Sequence, residues 1–467
     1  MLLSKPDQSA PSLGNDTAAT QASLGLTELL IAAVMLAIIL GMRHDFRSTS
    51  ANEGKSVEEG AGIEGEAEFE QDVSVAYPER KLAFVLTAAL GLYCVSTARR
   101  WFPPRIDPVM LLTVGLLLWV GATMLWSKDR GETGRELIRV GVYTFAVFAL
   151  AMRFSPISIC RIIVLSLSGS FAIACVWELA GGSFHPTGSD YRLTGSLHPN
   201  SLSRHALIAG IGATAFWAAG GEHRKKWLII LVAAVVVILL TKSRTSLATF
   251  LCGVGMVFFA GRPVRRLVLP AALACTVLAA GCLAFAVGGR AINKRAANIT
   301  SLGREDQSSA LTGRLPLWSL LMKESAGRHL QGAGFGAFWN VRQTERVGDK
   351  LLWYPRHAHS AYVETVLNIG VIGLAITLVL ALTTLSKSFW LVNATGAVEY
   401  RIFAGIVTAG LINGLAEAAF VMPRDLAIFT GLAVVSVGYA STSPAYAAVT
   451  PRAGPPPQRR PAPAAYA

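Results

Sequence analysis

The chain is poor in charge. Only 15% of its 467 residues are Asp, Glu, Lys or Arg, against roughly 25% in an ordinary soluble domain. A surface wetted on all sides is excluded by that shortage, and the 52% hydrophobic content with mean hydropathy +0.47 points to lipid as part of the solvent. Cysteine is scarce as well. Cys94, Cys160, Cys175, Cys252, Cys275 and Cys282 lie in or beside apolar runs without any Cys-x-x-Cys pair. They read as small buried hydrophobes, so neither a disulfide framework nor a thiolate zinc site is implied. A basic leader is lacking too: more than twenty mostly polar residues precede the first apolar run. Leu24–Met42 therefore reads as a retained span and not as a cleaved signal.

What the sequence does contain is a succession of apolar runs of about 17–25 residues, the length that crosses a hydrocarbon core of about 30 Å. The expected spans are Leu24–Met42, Leu82–Ala98, Pro108–Trp126, Leu137–Met152, Ile157–Ala180, Ser201–Gly220, Trp227–Thr241, Thr245–Ala260, Leu267–Val287, Ala361–Leu385, Ile402–Phe420 and Leu426–Ala440. Because lipid offers the backbone no hydrogen bonds, such runs must be helical. The expected fold is all-α: a polytopic integral membrane bundle of about twelve transmembrane helices with a large folded loop on one side.

The net charge of +13 would suggest nucleic acid in a soluble protein, but here topology accounts for most of it. The short basic loops 99–105 (RRWFPPR), 223–226 (HRKK) and 262–266 (RPVRR) alternate so as to share one face, which the positive-inside rule makes cytoplasmic. Residues 1–23 and the Pro-rich tail 441–467 then lie in the cytoplasm, residues 24–287 carry nine spans, and 361–440 carry three. The opposite face receives 43–80, 127–136, 181–200, the turn 242–244, the long segment 288–360 and 421–425. Segment 43–80 has ten acidic against four basic residues and reads as a disordered acidic spacer. Segment 288–360 has eleven basic against five acidic residues, an excess that topology does not require, and its aromatic and helix-like stretches mark it as a folded loop, periplasmic in this orientation.

The outward face collects the distinctive polar residues: Arg192, His198 and Asn200, then Arg244, Arg314, and the pair His357 and His359. Each alone has a structural explanation at a span end. Arg244 sits between two short apolar runs with almost no loop, just below the interface. Converging arginines suit phosphate, because the planar fork meets two oxygens at once. The stretch 332–339 (GAGFGAFW) reads as a turn before a phosphate cradle, since its spacing is not that of a nucleotide loop. For His357 and His359 a metal role lacks further ligands. A helix cap and an orienting or catalytic histidine, with Glu364 nearby to hold a ring N–H, both stay open on these residues alone.

The stretch 356–373 (RHAHSAYVETVLNIGVIG) resembles the signature of the O-antigen ligase and polymerase superfamily. In that pattern a histidine is followed by Asn, Ser or Gln, nine residues, Gly, two residues, and Gly, Thr or Tyr; here these are His359, Ser360, Gly370 and Gly373. The segments 192–203, 243–248 and 312–318 are similar to family segments in the same order. The resemblance implies a glycosyltransferase of the bacterial inner membrane, with its active site facing the periplasm. Such an enzyme moves or polymerises glycan from an undecaprenyl-diphosphate-linked donor to a glycan or lipid A-core acceptor, in lipopolysaccharide or exopolysaccharide synthesis. It implies an inverting reaction with no metal or other cofactor. His359 would be the catalytic residue, Arg314, Arg244 and Arg192 would bind the diphosphate, and Ser360, Glu364, Gly370 and Gly373 would support them. A reading of a different class is a lipid-glycan flippase or polysaccharide transporter. That would call for ionisable groups at mid-bilayer depth, whereas in-span charges are few: Arg161, Glu178, Arg204, Glu364 and Glu417.

Overall fold

Ionisable side chains buried between helices have to find partners, and the way they do so organises this bundle. The computed structural model describes residues 25–43, 78–98, 107–188, 191–195, 197–221, 223–262, 310–351, 355, 357–417 and 425–441. In chain order the helices are α1 (Leu26–Arg43), α2 (Pro78–Ser96), α3 (Pro108–Ala122) with a 3-10 turn Thr123–Leu125, α4 (Arg130–Arg153), α5 (Pro156–Ala180), α6 (Pro199–Ala219) and α7 (Arg224–Leu240). They continue with α8 (Arg244–Phe259), α9 (Ala310–Glu324), α10 (Val341–Leu351), α11 (Ala361–Thr395), α12 (Val398–Asn413) and α13 (Asp425–Ser441). No strand occurs among the described residues, in keeping with the all-α expectation.

Among the described residues, three helical stretches are long and apolar enough to cross a membrane: Pro108–Leu125, Pro156–Ala180 and Ala361–Thr395. Leu26–Gly41, Arg244–Phe259 and Ile428–Ala440 are apolar but shorter. Eleven of the twelve expected spans overlap described helices, although the helix in Ile402–Phe420 ends at Asn413, while Leu267–Val287, the acidic spacer apart from its edges, and the Pro-rich tail beyond Ser441 lie outside the described residues. Large apolar side chains such as Leu82, Leu92, Leu111, Leu118, Val176 and Ile229 stand exposed on the outside of the bundle. A water-facing protein would bury them.

The expected outward loop 127–136 is mostly helix. Asp129 caps α4 by accepting from the Glu132 N–H at 2.9 Å, and Glu132 with Arg135 and Glu136 with Arg139 pair across one turn. An N-cap and i,i+3 pairs extend a helix into water without help from hydropathy, so a window average misses those residues.

At the centre lies α6, buried from Pro199 to Phe216 apart from a half-buried Asn200. It is packed by α5, α7, α8 and α12. The larger core gathers around it, with Leu202, Leu207, Ile208 and Ile211 fully enclosed. A second, smaller core belongs to the long loop: Leu317 and Leu321 of α9, Val347 of α10, and Ala333, Phe338 and Ala358 close on Leu367 of α11. The described part of the basic segment thus packs a core of its own.

The two units meet at a break in α11. Gly370 has φ 77° and ψ 177°, so Ala361–Thr395 is two helices joined by one non-helical residue. Backbone groups freed by a break need partners inside a membrane protein, and the loop supplies them. Ala333 N–H donates to Leu367 O (2.9 Å) and Gly334 N–H to Asn368 O (3.1 Å). From the other half, Val371 N–H donates to His329 O (2.8 Å) and Ile372 N–H to Leu330 O (3.3 Å). The Trp119 indole donates to Ile369 O (2.9 Å).

Two tests follow from this architecture. A Cβ at Gly370 would lie 2.1 Å from Leu330 O on a backbone that L-residues rarely adopt. Gly370→Ala is therefore expected to cost at least about 3 kcal/mol, whereas Gly115→Ala, with nothing within 4 Å, leaves the thermal midpoint of the detergent-solubilised protein within a degree or two. The second test concerns the pin between α9 and α10. Lys350 Nζ donates to Glu324 at 2.7 Å, with Arg346 at 3.5 Å, and the Lys350 hydrogen bond foremost holds the Glu324 carboxyl below the usual carboxylate range despite partial burial. A depressed folded-state value means this contribution is present above the unfolded carboxylate range and is lost as pH falls through the depressed value. Both cations are half in solvent, so the effect is under about 1 kcal/mol. The protection factors of the α10 amides, taken relative to their intrinsic exchange rates at each pH, should fall on acidification, and Lys350→Gln should flatten that pH dependence.

Candidate functional site

His359 stands in the turn that leads into α11, half-buried, with φ 49°, a left-handed conformation costly for a residue with a Cβ. Its own N–H donates to Nδ1 of His357 at 3.2 Å, and the two rings lie 4.1 Å apart between centroids. His357 thus props the turn, and both residues are half-buried.

What fixes this turn is the buried carboxylate of Glu364. It accepts from the Ala358 N–H (2.8 Å), the Trp339 indole (3.0 and 3.1 Å) and the Asn368 amide (3.0 Å). Glu364 therefore ties the residue before His359 to the loop and to the next turn of α11. Ser360 is the N-cap residue of α11 but makes no side-chain cap bond; its hydroxyl and the Ala361 N–H both reach Gly414 O, at 3.4 and 2.8 Å. The Tyr362 hydroxyl donates to Leu411 O at 2.6 Å. The end of α12 thus seats the start of α11.

Gly370 is the break itself. Gly373, one turn on, is buried, and a Cβ there would meet Ile369 at 2.5 Å. The stretch 332–339 proves to be the strap across the break. The N–H groups of Ala333, Gly334 and Gly336 go to Leu367 O, Asn368 O and Asn368 Oδ1, so they are committed to protein acceptors, and the turn reading of this stretch holds over the phosphate cradle.

Arg192 and Arg244 flank one turn. Arg192 Nε donates to Thr241 O (3.0 Å) and its Nη2 to Asn200 Oδ1 (3.0 Å), while Arg244 opens α8 just beyond Thr241 and is half-buried. From Asn200 the chain of contacts runs on: its amide donates to Glu417 (3.0 Å), which pairs with Arg204 at 3.6 Å. Glu417 lies three residues after Gly414, so the arginine turn and the histidine turn share the 414–417 segment. Arg314 is half-exposed on α9, one turn before Trp318, whose indole donates to Ala358 O at 2.8 Å. Among the described residues, neither Arg244 nor Arg314 has a hydrogen-bond or ion-pair partner.

Sequence reading passed over Glu178 as an in-span charge. It is buried at the end of α5, and its carboxylate accepts from Thr194 N–H (2.6 Å), Thr194 Oγ1 (2.9 Å), Gly195 N–H (2.7 Å) and the Tyr191 hydroxyl. This contact shapes the 191–195 turn that presents Arg192. An acidic residue near the end of an apolar run, followed by a Thr-Gly turn, was the available signal. Asn368 was missed too, although Glu364 and Asn368 stand four apart on one helix face.

Glu364→Gln puts an amide N–H where only donors converge. It should destabilise the fold by about 1–3 kcal/mol and speed hydrogen exchange at Ala358, read by mass spectrometry on the peptide spanning 355–363.

Comparison with known proteins now bears on the same elements. Residues 229–378, which include α8, α9, the strap, the His359 turn and the break, match the O-antigen ligase family model. Over 341 residues the chain is 24% identical to the exopolysaccharide production protein ExoQ of Rhizobium meliloti (strain 1021), covering 67% of this chain and 74% of ExoQ. By its motif, its matched segment and this relative, the chain is similar to the O-antigen ligase and polymerase superfamily.

Proposed function

We propose that the protein is a polyprenyl-diphosphate-dependent glycosyltransferase, of the ligase or polymerase type, acting at the periplasmic face of the bacterial inner membrane. It transfers or polymerises glycan from an undecaprenyl-diphosphate-linked donor in exopolysaccharide or lipopolysaccharide O-antigen synthesis. The observation that carries this reading is a half-buried histidine held in a left-handed turn, on elements that also position three arginines.

In this reading His359 takes the proton of the acceptor hydroxyl as that oxygen attacks the anomeric carbon, a task suited to a group titrating near neutrality. The bond from the anomeric carbon to the diphosphate breaks, its electron pair leaves on the diphosphate oxygen, and the configuration at carbon inverts. Arg314, with Arg192 and Arg244, neutralises the growing negative charge. Losing one such donor typically costs on the order of 3 kcal/mol in rate. Glu364 and Glu178 act through the residues they hold, the first on the His359 turn and the second on the Arg192 turn.

The lipid part of the donor has an apolar place to lie. A cavity of about 190 Å³ opens between α3, α4, α11 and α13, lined by Leu116, Val140, Phe148, Leu380 and Val434, with Phe335 of the strap in its wall. Within the spans, Arg161 pairs with Glu28 at 3.8 Å, Arg204 with Glu417, and Glu178 and Glu364 hold turns. These fixed structural contacts favour the enzyme over a transporter, whose in-span charges must face a path.

The test is reconstitution of the full chain with an undecaprenyl-diphosphate-linked oligosaccharide and a choice of acceptors. His359→Ala is expected to lower transfer at least about 100-fold and Arg314→Gln to lower it about as much, with both variants still folded. Transfer at the wild-type rate by His359→Ala would sink the catalytic assignment, and substrate transport that survives this change would favour the transporter.

A further inference from the structure

The outward basic excess is not exhausted by the arginines assigned to the diphosphate. A second group of cations lies at the other end of α9. Arg314 and Glu324 are ten residues apart on that helix, about 15 Å at 1.5 Å per residue. Around Glu324 stand Arg346 and Lys350 of α10, and the neighbouring turns bring in Lys128 and Arg328. Arg328 Nη1 donates to Trp126 O at 3.3 Å, and Lys128 N–H to Ala333 O at 2.9 Å. These bonds pin the 126–130 turn against the 328–333 turn. Partial burial and then the like charges of Arg328 and Arg346 push the Lys128 ammonium below its usual value, only partly offset by Glu324. Three of the acidic groups beside this patch are engaged, Glu324 with Lys350 and Arg346, Asp129 in capping α4, and Glu132 with Arg135, while Glu345 and Asp349 of α10 are exposed beside Arg346 and Lys350.

The same surface is apolar along one edge. Leu125, the last residue of the membrane-length stretch Pro108–Leu125, is 74% exposed, and Leu330 is 69% exposed. They adjoin through the Trp126 indole, which donates to Gln331 O at 3.1 Å. Ile372 N–H donates to Leu330 O at 3.3 Å, so the exposed side chains of Val371 and Ile372, just past the break, continue the edge. An apolar edge along a membrane-length helix, a tryptophan at its end and cations just beyond it form the profile of a bilayer interface. An acidic saccharide would satisfy the cations but make no use of four exposed apolar side chains.

We propose that Lys128, Arg328 and Arg346, with Leu125, Leu330, Val371 and Ile372, form a binding site for an anionic phospholipid of the bilayer. Its phosphate lies on the cations and its acyl chain along the apolar edge. The site is separate from the diphosphate site, and by holding lipid against both the strap and the second half of α11 it anchors the loop to the membrane surface.

The test uses the full chain purified in detergent and exchanged into an equimolar mixture of phosphatidylglycerol and phosphatidylcholine, with retained lipids counted by native mass spectrometry. The wild-type protein is expected to retain phosphatidylglycerol preferentially and to lose that preference at high salt. Lys128→Gln and Arg346→Gln, both at exposed positions, should each lower the preference roughly fivefold, while Arg314→Gln leaves it in place. A wild-type preference retained by the Lys128→Gln, Arg346→Gln double variant overturns the proposal. So does binding of an oligogalacturonide, sensitive to Lys128→Gln, by a protein with no lipid preference, which would make the patch a glycan surface. His359-dependent transfer is measured separately, so failure of the lipid site leaves the catalytic reading intact.

Discussion

The structure turns on one helix that is not allowed to be continuous. At Gly370 the backbone of α11 leaves the helical region, and the carbonyls before it and N–H groups after it lose their partners within the helix. In a membrane protein such groups cost several kcal/mol each unless satisfied. The strap, with the His329–Leu330 turn before it and the Trp119 indole, satisfies them, and in doing so it is docked onto the bundle in a single register. Everything the loop contributes, from the Trp318 bond beneath the histidine turn to the position of Arg314, depends on that docking.

The second constraint is the use of carboxylates as turn-shapers. Glu364 and Glu178 sit on different helices, and each gathers backbone N–H groups and side-chain donors from a turn that carries a proposed functional residue. Charge-assisted bonds of this kind are roughly twice as strong as neutral ones. They let short polar turns hold a defined shape at the edge of an otherwise apolar assembly. Between the two turns, the 414–417 segment bonds to both, through Gly414 on one side and Glu417 on the other.

Much of this was legible in the chain. Hydropathy located most of the described helices because an apolar run in lipid has little alternative to helix. It failed at the start of α4, where capping and ion pairs carry the helix through the mostly polar residues from Arg130 to Glu136, and it did not foresee that α11 runs on to Thr395. The spacing from His359 to Gly370 and Gly373 marked the right segment but not its reason. A signature records which residues recur, whereas the need for Gly370 comes from Leu330, forty residues upstream in sequence and in contact only once the loop has folded. The partners of Glu178 and Asn368 were hidden for the same cause, since a hydrogen bond between distant segments leaves no periodicity in either one.

The break divides α11 unequally, and the piece that follows the histidine turn runs only from Ala361 to Ile369. A helix of that length is marginal in isolation. It persists here because Gly414 holds its first turn, Glu364 ties it to Trp339, and the strap holds its last carbonyls. Local order in a protein is set by such cooperative units and not by helix labels. The short helix, the strap and the small core of α9 and α10 therefore constitute one such unit: the histidine keeps its geometry only while the loop stays docked, and whatever loosens the loop releases the His359 turn before the bundle itself has changed.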